Sequence, residues 1–299
     1  MILVTGGTGF VGSHLIRRMR REGLPVRAMV RNPDKAQALK DLGAEVVSGD
    51  VSDPASLEKA ATGVERIVHL VGIIQESAGS TFQAVHVDGT RNLLDAAKKN
   101  NVRHFFYQSA LGTRPNAKSE YHRTKWAAEE LVRASGLSYT ILRPSLIYGP
   151  GDQFTIRLAE MIRLAPLLPV IGSGLSKIQP IFIDDVVSCI LTAVSGDSCF
   201  NEIYELGGPQ QLTYEEVTIA IANALGIHRP TVHVPLFFMK SMANALQALL
   251  PKPPVTTDQL IMLQEDNVCN MRDIREAFAV EPISFQEGLG KFLSASQHK

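Results

Sequence analysis

The sequence predicts an α/β fold: a doubly wound parallel sheet followed by a smaller, mainly helical lobe. Three observations carry this. Short apolar, β-branched runs alternate with segments of helical period from Ile2 to Leu142, a rhythm that implies a parallel sheet covered on both faces. A glycine cluster separates the first apolar run from the first helical segment, the strand–turn–helix context in which such a cluster carries meaning. After Pro150 the alternation stops, and helical pieces broken by prolines take over. The right-handed crossover rule then leaves little besides a doubly wound sheet.

In order, Ile2 to Val4 is the first strand, and Phe10 to Arg21 the first helix, stopped by Gly23. Val26 to Val30 is the second strand, closed by Arg31-Asn32-Pro33. A helix from Asp34 to Leu42 ends at Gly43, and Glu45 to Val47 is the third strand. Asp50 to Asp53 is a polar turn from which Pro54 opens a short helix. Arg66 to Val71 is the fourth strand, Thr81 to Asn100 a long helix, and His104 to Tyr107 the fifth strand. A helix from Ser119 to Ser135 stops at Gly136, and Tyr139 to Leu142 is the sixth strand. Pro180 to Ile183 is expected to rejoin the sheet, ahead of a helix from Asp184 to Ser195 and a strand at Ile203 to Leu206. Thr213 caps a helix to Leu225, with Glu215 and Glu216 favourable in its first turn. Val232 to Leu250 carries Lys240, Asn244 and Gln247 on one face and Met239, Met242, Leu246 and Leu249 on the other, so it is an amphipathic helix rather than a membrane span. Breaks follow at Pro251, Pro253, Pro254 and Pro282. Residues 1–150 and 181–207 are expected to form the dinucleotide-binding domain, and 151–180 with 208–299 the smaller substrate or partner domain.

The chain has 299 residues, 45% of them hydrophobic, enough for a substantial core. Lys+Arg and Asp+Glu both number 30, which removes the basic footprint of a nucleic-acid binder. Cys189, Cys199 and Cys269 stand apart and suit buried thiols in a reducing compartment. His69, His86, His104 and His122 share no ligand spacing, so no metal site is expected. The N-terminus enters a strand directly, which makes a cytoplasmic location the expectation, with a position peripheral to a membrane left open.

Gly6, Gly9 and Gly12 are spaced so that Gly6 permits a tight turn, Gly9 lets the backbone approach a pyrophosphate, and Gly12 lets the helix lie close to the sheet. Arg31 ends the second strand where an NAD-specific protein usually places an acid, and no Asp or Glu lies between Val26 and Pro33. A guanidinium there grips a 2′-phosphate in bidentate fashion, which favours NADP(H) and leaves NAD(H) as the alternative. Tyr121 and Lys125, at i and i+4, face one way at the start of a helix, and an ammonium beside a phenol lowers its pKa. Such a pair beside a nicotinamide is a candidate general acid/base. The run Lys118 to Lys125 is otherwise the exposed start of a helix, Trp126 belongs to core or pocket wall, and Gly72 to Ser80 is a polar loop at the cleft.

The turn from Thr5 to Gly12, Asp50-Val51, Tyr121-x-x-x-Lys125 and Arg143-Pro-Ser-Leu-Ile-Tyr-Gly-Pro150 resemble the extended and atypical short-chain dehydrogenase/reductases, which include epimerases and dehydratases. Val87-Asp-Gly-Thr-Arg-Asn-Leu-Leu94 and Phe182-Ile-Asp-Asp-Val186 match that superfamily too. The resemblance implies a Rossmann-type fold in which Thr5, Gly6, Gly7, Thr8, Gly9, Phe10, Val11 and Gly12 contact the cofactor. It further implies that Asp50 and Val51 border the adenine. Leu70, Val71 and Gly72 on one side, and Pro144 and Ser145 on the other, would flank the nicotinamide, with Lys125 on its ribose. Tyr204-Glu-Leu-Gly-Gly-Pro209, Leu212-Thr-Tyr214, the apolar helix from Pro235 and Thr257-Asp-Gln-Leu260 resemble bacterial relatives of the NADPH-binding accessory subunit of respiratory complex I.

Two positions depart from the superfamily pattern. Ala110 stands where a Ser or Thr usually hydrogen-bonds the substrate oxygen, leaving Ser109 or Thr113 as the substitute. Leu146 stands where sugar-nucleotide enzymes usually place an Asn, which disfavours an epimerase or dehydratase. The expectation is therefore an NAD(P)-dependent oxidoreductase acting through Tyr121, Lys125 and Ser109 on an unidentified small molecule. The alternatives are an NADPH-holding accessory module that docks a protein partner through its C-terminal helices, and a redox-sensing regulator.

Overall fold

Leu3 and Val4 point to opposite faces of the first strand, β1 (Ile2–Thr5), and the layering of the fold grows from that alternation. The computed structural model describes residues 1–77, 79–250 and 253–293; Ala78 of the cleft loop and the expected break at Pro251 lie outside them. The chain continues through α1 (Phe10–Arg21), β2 (Val26–Val30), α2 (Gln37–Asp41), β3 (Glu45–Ser48), α3 (Pro54–Ala61), β4 (Arg66–His69), α4 (Gly89–Lys99), β5 (His104–Gln108), α5 (Glu120–Arg133) and β6 (Ser138–Pro144). Then come β7 (Ile147–Tyr148), α6 (Phe154–Leu164), β8 (Leu168–Ile171), β9 (Lys177–Ile178), β10 (Ile181–Phe182), α7 (Ile183–Ser195), β11 (Glu202–Leu206) and β12 (Leu212–Thr213). The last elements are α8 (Tyr214–Ala224), β13 (Thr231–Val234), α9 (Leu236–Leu249), α10 (Thr257–Met262), α11 (Arg272–Glu276) and α12 (Phe285–Gly290).

Seven strands form one parallel sheet in the order β11-β6-β5-β4-β1-β2-β3. This is the expected doubly wound, Rossmann-type α/β fold. Leu3, Ile67, Phe105, Tyr107 and Ile141 face α3, α4 and α5, whereas Val4, Val68, Phe106 and Leu142 face α1 and α7. The second cluster continues without a break through Leu158, Val217, Ile221, Ile274, Phe285 and Leu289 into the C-terminal helices. Strand order reverses between β1 and β4, so a crevice opens at the carboxyl ends of these two strands.

Several expectations need correction. The segment at Pro180 to Ile183 does not rejoin the sheet: β10 pairs only with β7, because α7 begins at Ile183 and turns the chain away after two strand residues. The fourth strand ends at His69 rather than Val71, and the chain leaves the sheet there to pass the glycine turn. The long helix begins with a π-helical turn at Gln83–Asp88 instead of running as α-helix from Thr81. The segment at Val232 splits at Pro235, with β13 paired to β8 before it and α9 after it. In α9 the two expected faces are not divided between core and solvent: Met239 and Leu246 are half-buried, Asn244 and Gln247 are exposed and accept from Thr257, and Phe237, Phe238 and Leu249 are 74%, 57% and 78% exposed. Apart from Ile74, every large exposed apolar side chain among the described residues lies between Met161 and Leu250. No helix among the described residues is long and apolar enough to cross a membrane.

The close approach of α1 to the sheet is testable. A Cβ on Gly12 would stand 2.3 Å from the Gly6 carbonyl oxygen, which belongs to backbone that cannot swing aside. Gly12→Ala is expected to lower unfolding free energy by about 1–3 kcal/mol in urea denaturation. An unchanged midpoint would contradict the packing described.

Candidate active site

The glycine turn is built by backbone alone. Gly6 has φ of 72°, and the Gly9 N–H donates to the Gly6 carbonyl at 2.9 Å. A Cβ on Gly6 would meet the Leu70 carbonyl carbon at 3.3 Å, and one on Gly7 would meet Ile16 Cδ1 at 3.0 Å. α1 has Gly9 as its N-cap, with no side-chain cap and no acid in its first turn, so its positive end is left open to an anion. Thr8 and Gly9 are exposed, Phe10 is half-buried, and Gly7, Val11 and Gly12 are buried. Thr5 is fully buried, and its hydroxyl lies 2.7 Å from His69 Nδ1.

On the next crossover, Arg31 is exposed at the end of β2. Asp50 Oδ1 accepts from the Ser52 N–H at 2.8 Å and from the Ser52 hydroxyl at 2.7 Å. These bonds hold the Asp50 carboxyl below its usual range, and the Arg31 charge adds to them. Val51 is buried against α4, where a Cβ on Gly89 would come within 2.9 Å of it, and its carbonyl accepts from Asn92 Nδ2 at 2.9 Å. Arg31 and Asp50 thus border one end of the crevice.

The Leu70–Gly72 backbone borders the other end. A Cβ on Gly72 would stand 3.3 Å from Lys125 Nζ and 3.5 Å from His86 Nε2, so two nitrogens converge on this loop. Lys125 is only 4% exposed, in contrast to the expected exposed helix start. Its ammonium donates to the Gln108 carbonyl at 2.8 Å and lies 4.8 Å from the centre of the Tyr107 ring. Burial pushes its pKa down to about 8, with buried Glu129 acting the other way. Tyr121 is half-buried, its ring edge-on to those of His122, His86 and Phe82 at 5.3, 5.5 and 6.0 Å. Burial pushes the phenol up to about 12. The expected lowering by Lys125 is therefore corrected: desolvation decides, and the ammonium spends its hydrogen bond on β5.

The helix carrying this pair is capped from two sides. Ser119 Oγ accepts from the His122 N–H at 3.3 Å, and the Asp258 carboxylate accepts from the N–H groups of Glu120 and Tyr121 at 2.7 and 3.2 Å. Ser109 is buried and donates to Thr113 Oγ1 at 3.4 Å, so the two candidates for the missing hydroxyl stand together beside Ala110. Pro144 ends β6, with its carbonyl accepting from Leu111 N–H at 2.9 Å. The Ser145 hydroxyl is engaged by Asn267 Oδ1 at 2.6 Å and accepts from Gln179 N–H at 3.3 Å, while Asn267 Nδ2 donates to the Leu111 carbonyl at 2.9 Å. The guanidinium carbons of Arg133 and Arg143 lie 4.7 and 5.7 Å from the centre of the half-buried Trp126 ring. Leu146 is half-buried against the cluster of Val170, Ile178 and Tyr214. Asp258 was legible only as part of the Thr257-Asp-Gln-Leu260 resemblance and Asn267 not at all, since their partners lie far away in the chain. His69 and His86 were visible only as isolated histidines.

The match to a family model described as NAD(P)H-binding spans residues 6–160. A ceramide reductase of Caulobacter vibrioides is 32% identical over 262 residues, which cover 85% of this chain and 81% of that protein. The mitochondrial NADH dehydrogenase [ubiquinone] 1 alpha subcomplex subunit 9 of Arabidopsis thaliana is 28% identical over 91% of this chain and 72% of its own length. Among solved structures, the NADPH-dependent quinone oxidoreductase of Escherichia coli in complex with NADPH superposes with a TM-score of 0.76 at 22% identity, covering 98% of this chain and 100% of that one. That likeness extends the agreement in fold to both halves of the chain.

The buried histidines make stability depend on pH. Burial, aided by the Lys125 charge, pushes His69 down to about 3 and His86 down to about 2. An unfolded histidine titrates near ~6.5, so below that pH the unfolded chain binds protons that the native one refuses. This contribution is complete above pH ~6.5 and is lost as pH falls toward the native values, at about 1.4 kcal/mol per pH unit for each ring. Urea unfolding is expected to show roughly 4 kcal/mol less stability at pH 5 than at pH 7. Equal stability at the two values would sink the neutral assignment.

Proposed function

Because this chain belongs to the NAD(P)H-binding family of the extended short-chain dehydrogenase/reductase superfamily, we propose that it is an NADP(H)-dependent oxidoreductase that reduces a carbonyl group with Tyr121 as proton donor. The observation that carries this reading is the convergence of buried Lys125 and His86 on the Gly72 backbone, with the Tyr121 ring edge-on to His86 one helical turn before Lys125. The residues present fit a dinucleotide: at Gly6, Gly7 and Gly12 the turn packs so closely on Leu70, the core and its own backbone that Cβ atoms are excluded, and the N-cap of α1 on this turn carries no side-chain cap. Thr5, Gly6, Gly7, Thr8, Gly9, Phe10, Val11 and Gly12 would hold the pyrophosphate, with Asp50 and Val51 at the adenine. Leu70, Val71, Gly72, Pro144 and Ser145 would bound the nicotinamide side by their backbone. Bound there, NADPH supplies the hydride.

Burial pushes the Tyr121 pKa up to about 12, so the phenol is protonated at neutral pH and holds a proton for a substrate oxygen, but it is a weaker acid than the near-neutral group that general acid catalysis favours. Lys125, at about 8, is charged over most of the neutral range and would bind the nicotinamide ribose. Ser109, relayed through Thr113, would orient the substrate oxygen where Ala110 supplies nothing. Residues 151–180 and 208–299 would close over the substrate, and Leu146 in its apolar setting argues against a sugar nucleotide. Arg31, with no competing acid on β2, supports NADP(H) over NAD(H).

A second reading, an NADPH-holding module that docks a partner, is favoured by the outward apolar side chains of α9 and by the likeness to a respiratory-chain subunit. Purified protein that keeps NADPH through dialysis and fails to oxidise it with every member of a panel of carbonyls and quinones would support that reading.

Two experiments test the first one. Tyr121→Phe is expected to lower kcat at least ~10²-fold on any carbonyl compound the protein reduces, with NADPH affinity unchanged. Full turnover by the variant removes tyrosine from the mechanism. Arg31→Ala is expected to weaken NADPH binding about 10-fold or more while leaving NADH within about twofold, measured by nicotinamide fluorescence. An equal effect on both cofactors would overturn the preference.

A further inference from the structure

One buried side chain joins the two halves of the candidate site. His86 is 0% exposed and projects from the π-helical turn at Gln83–Asp88, a departure from α geometry often found at functional sites. Its Nε2 accepts from the Ile73 N–H at 3.0 Å, and its Nδ1 lies 3.0 Å from Thr124 Oγ1. Thr124 in turn donates to the carbonyl of Glu120 at 2.9 Å or of Tyr121 at 3.0 Å. A ring nitrogen that accepts from an amide carries no proton, so this pattern assigns the proton to Nδ1. The Ile73 carbonyl also lies 3.1 Å from Nε2, but the opposite tautomer would leave the Ile73 N–H without a partner among the described residues.

The same turn is tied to the glycine loop. Thr90 Oγ1 donates to the His86 carbonyl at 2.5 Å and lies 3.2 Å from His69 Nε2, and His69 Nδ1 faces the Thr5 hydroxyl. Hydrogen bonds therefore run from the end of β1, through two imidazoles and two threonines, to the turn of α5 that holds Tyr121.

We infer that His86 is a positioning residue that locks the Gly72–Ile73 backbone to the Tyr121/Lys125 turn of α5, so that the cofactor loop and the acid–base pair keep a single geometry. This rests on the reading that the Leu70–Gly72 loop borders the nicotinamide. The latch requires an acceptor at the depth of Nε2. Gln extends its amide to about that depth, whereas Asn reaches only as far as Nδ1.

The test compares His86→Gln with His86→Asn in the full chain. In cofactor-free protein, amide hydrogen exchange of Ile73 is expected to stay slow in the wild type and in His86→Gln, and to accelerate about 10-fold or more in His86→Asn. NADPH titration is expected to show Kd raised about 10-fold by His86→Asn and within about threefold of wild type for His86→Gln. A fast-exchanging Ile73 amide in the wild type, or identical behaviour of the two variants, would overturn the latch. If Ile73 exchange follows the expected order but the wild type does not bind NADPH, the cofactor reading of the cleft fails while the latch stands.

Discussion

The site depends on how closely backbone can pass backbone at the carboxyl ends of β1 and β4. At Gly6 and Gly12 the peptide groups of the turn, the start of α1 and the Leu70 carbonyl crowd within contact distance, with no room for a Cβ on Gly12. That crowding brings the open end of α1 to the crevice and presses the Leu70–Gly72 loop against its rim. Parallel pairing of Thr5 with His69 sets the register of this approach. The same register places the Thr5 hydroxyl within hydrogen-bonding distance of the His69 ring.

Desolvation is the second governing influence. Lys125, His69 and His86 are all taken out of water within one small volume, and each pKa moves toward the neutral form. One cation among neutral imidazoles is the cheapest arrangement, because a second charge would add repulsion to the burial cost. Lys125 keeps a carbonyl acceptor and an aromatic face, and Glu129 stands one turn further on, paired to Arg143 at 2.9 and 2.6 Å. Tyr121 sits at the boundary of this region, where nothing offsets burial.

The C-terminal residues do more than cover the sheet. Asp258 satisfies two N–H groups at the start of α5, and Asn267 spans from Ser145 to the Leu111 carbonyl. Gln179 holds the same region through the Gly208 carbonyl at 2.8 Å and the Cys269 N–H at 2.8 Å. The helix bearing Tyr121 and Lys125 is thus oriented by groups more than a hundred residues away. α9 is linked to it through Thr257, beside Asp258, while its aromatic residues remain outside.

Local rules determined much of this protein in advance. Periodicity and glycine or proline punctuation located β1, α1, β2, α5 and α8, since pattern and burial agree at each of them, with side-chain caps on α5 and α8. The Thr213–Glu216 capping box and the Ser119 cap are local by nature. The glycine turn was legible because its geometry needs no partner beyond its neighbours. What tertiary structure alone decided is non-local: the loss of β10 from the sheet, the exposure of the α9 aromatic residues, the direction of the Lys125 hydrogen bond and the joining of His69 to His86. A phenol–ammonium spacing says that two side chains face one way. Only the surrounding packing decides whether water is excluded, and exclusion of water is what moves the pKa values of Tyr121, Lys125, His69 and His86.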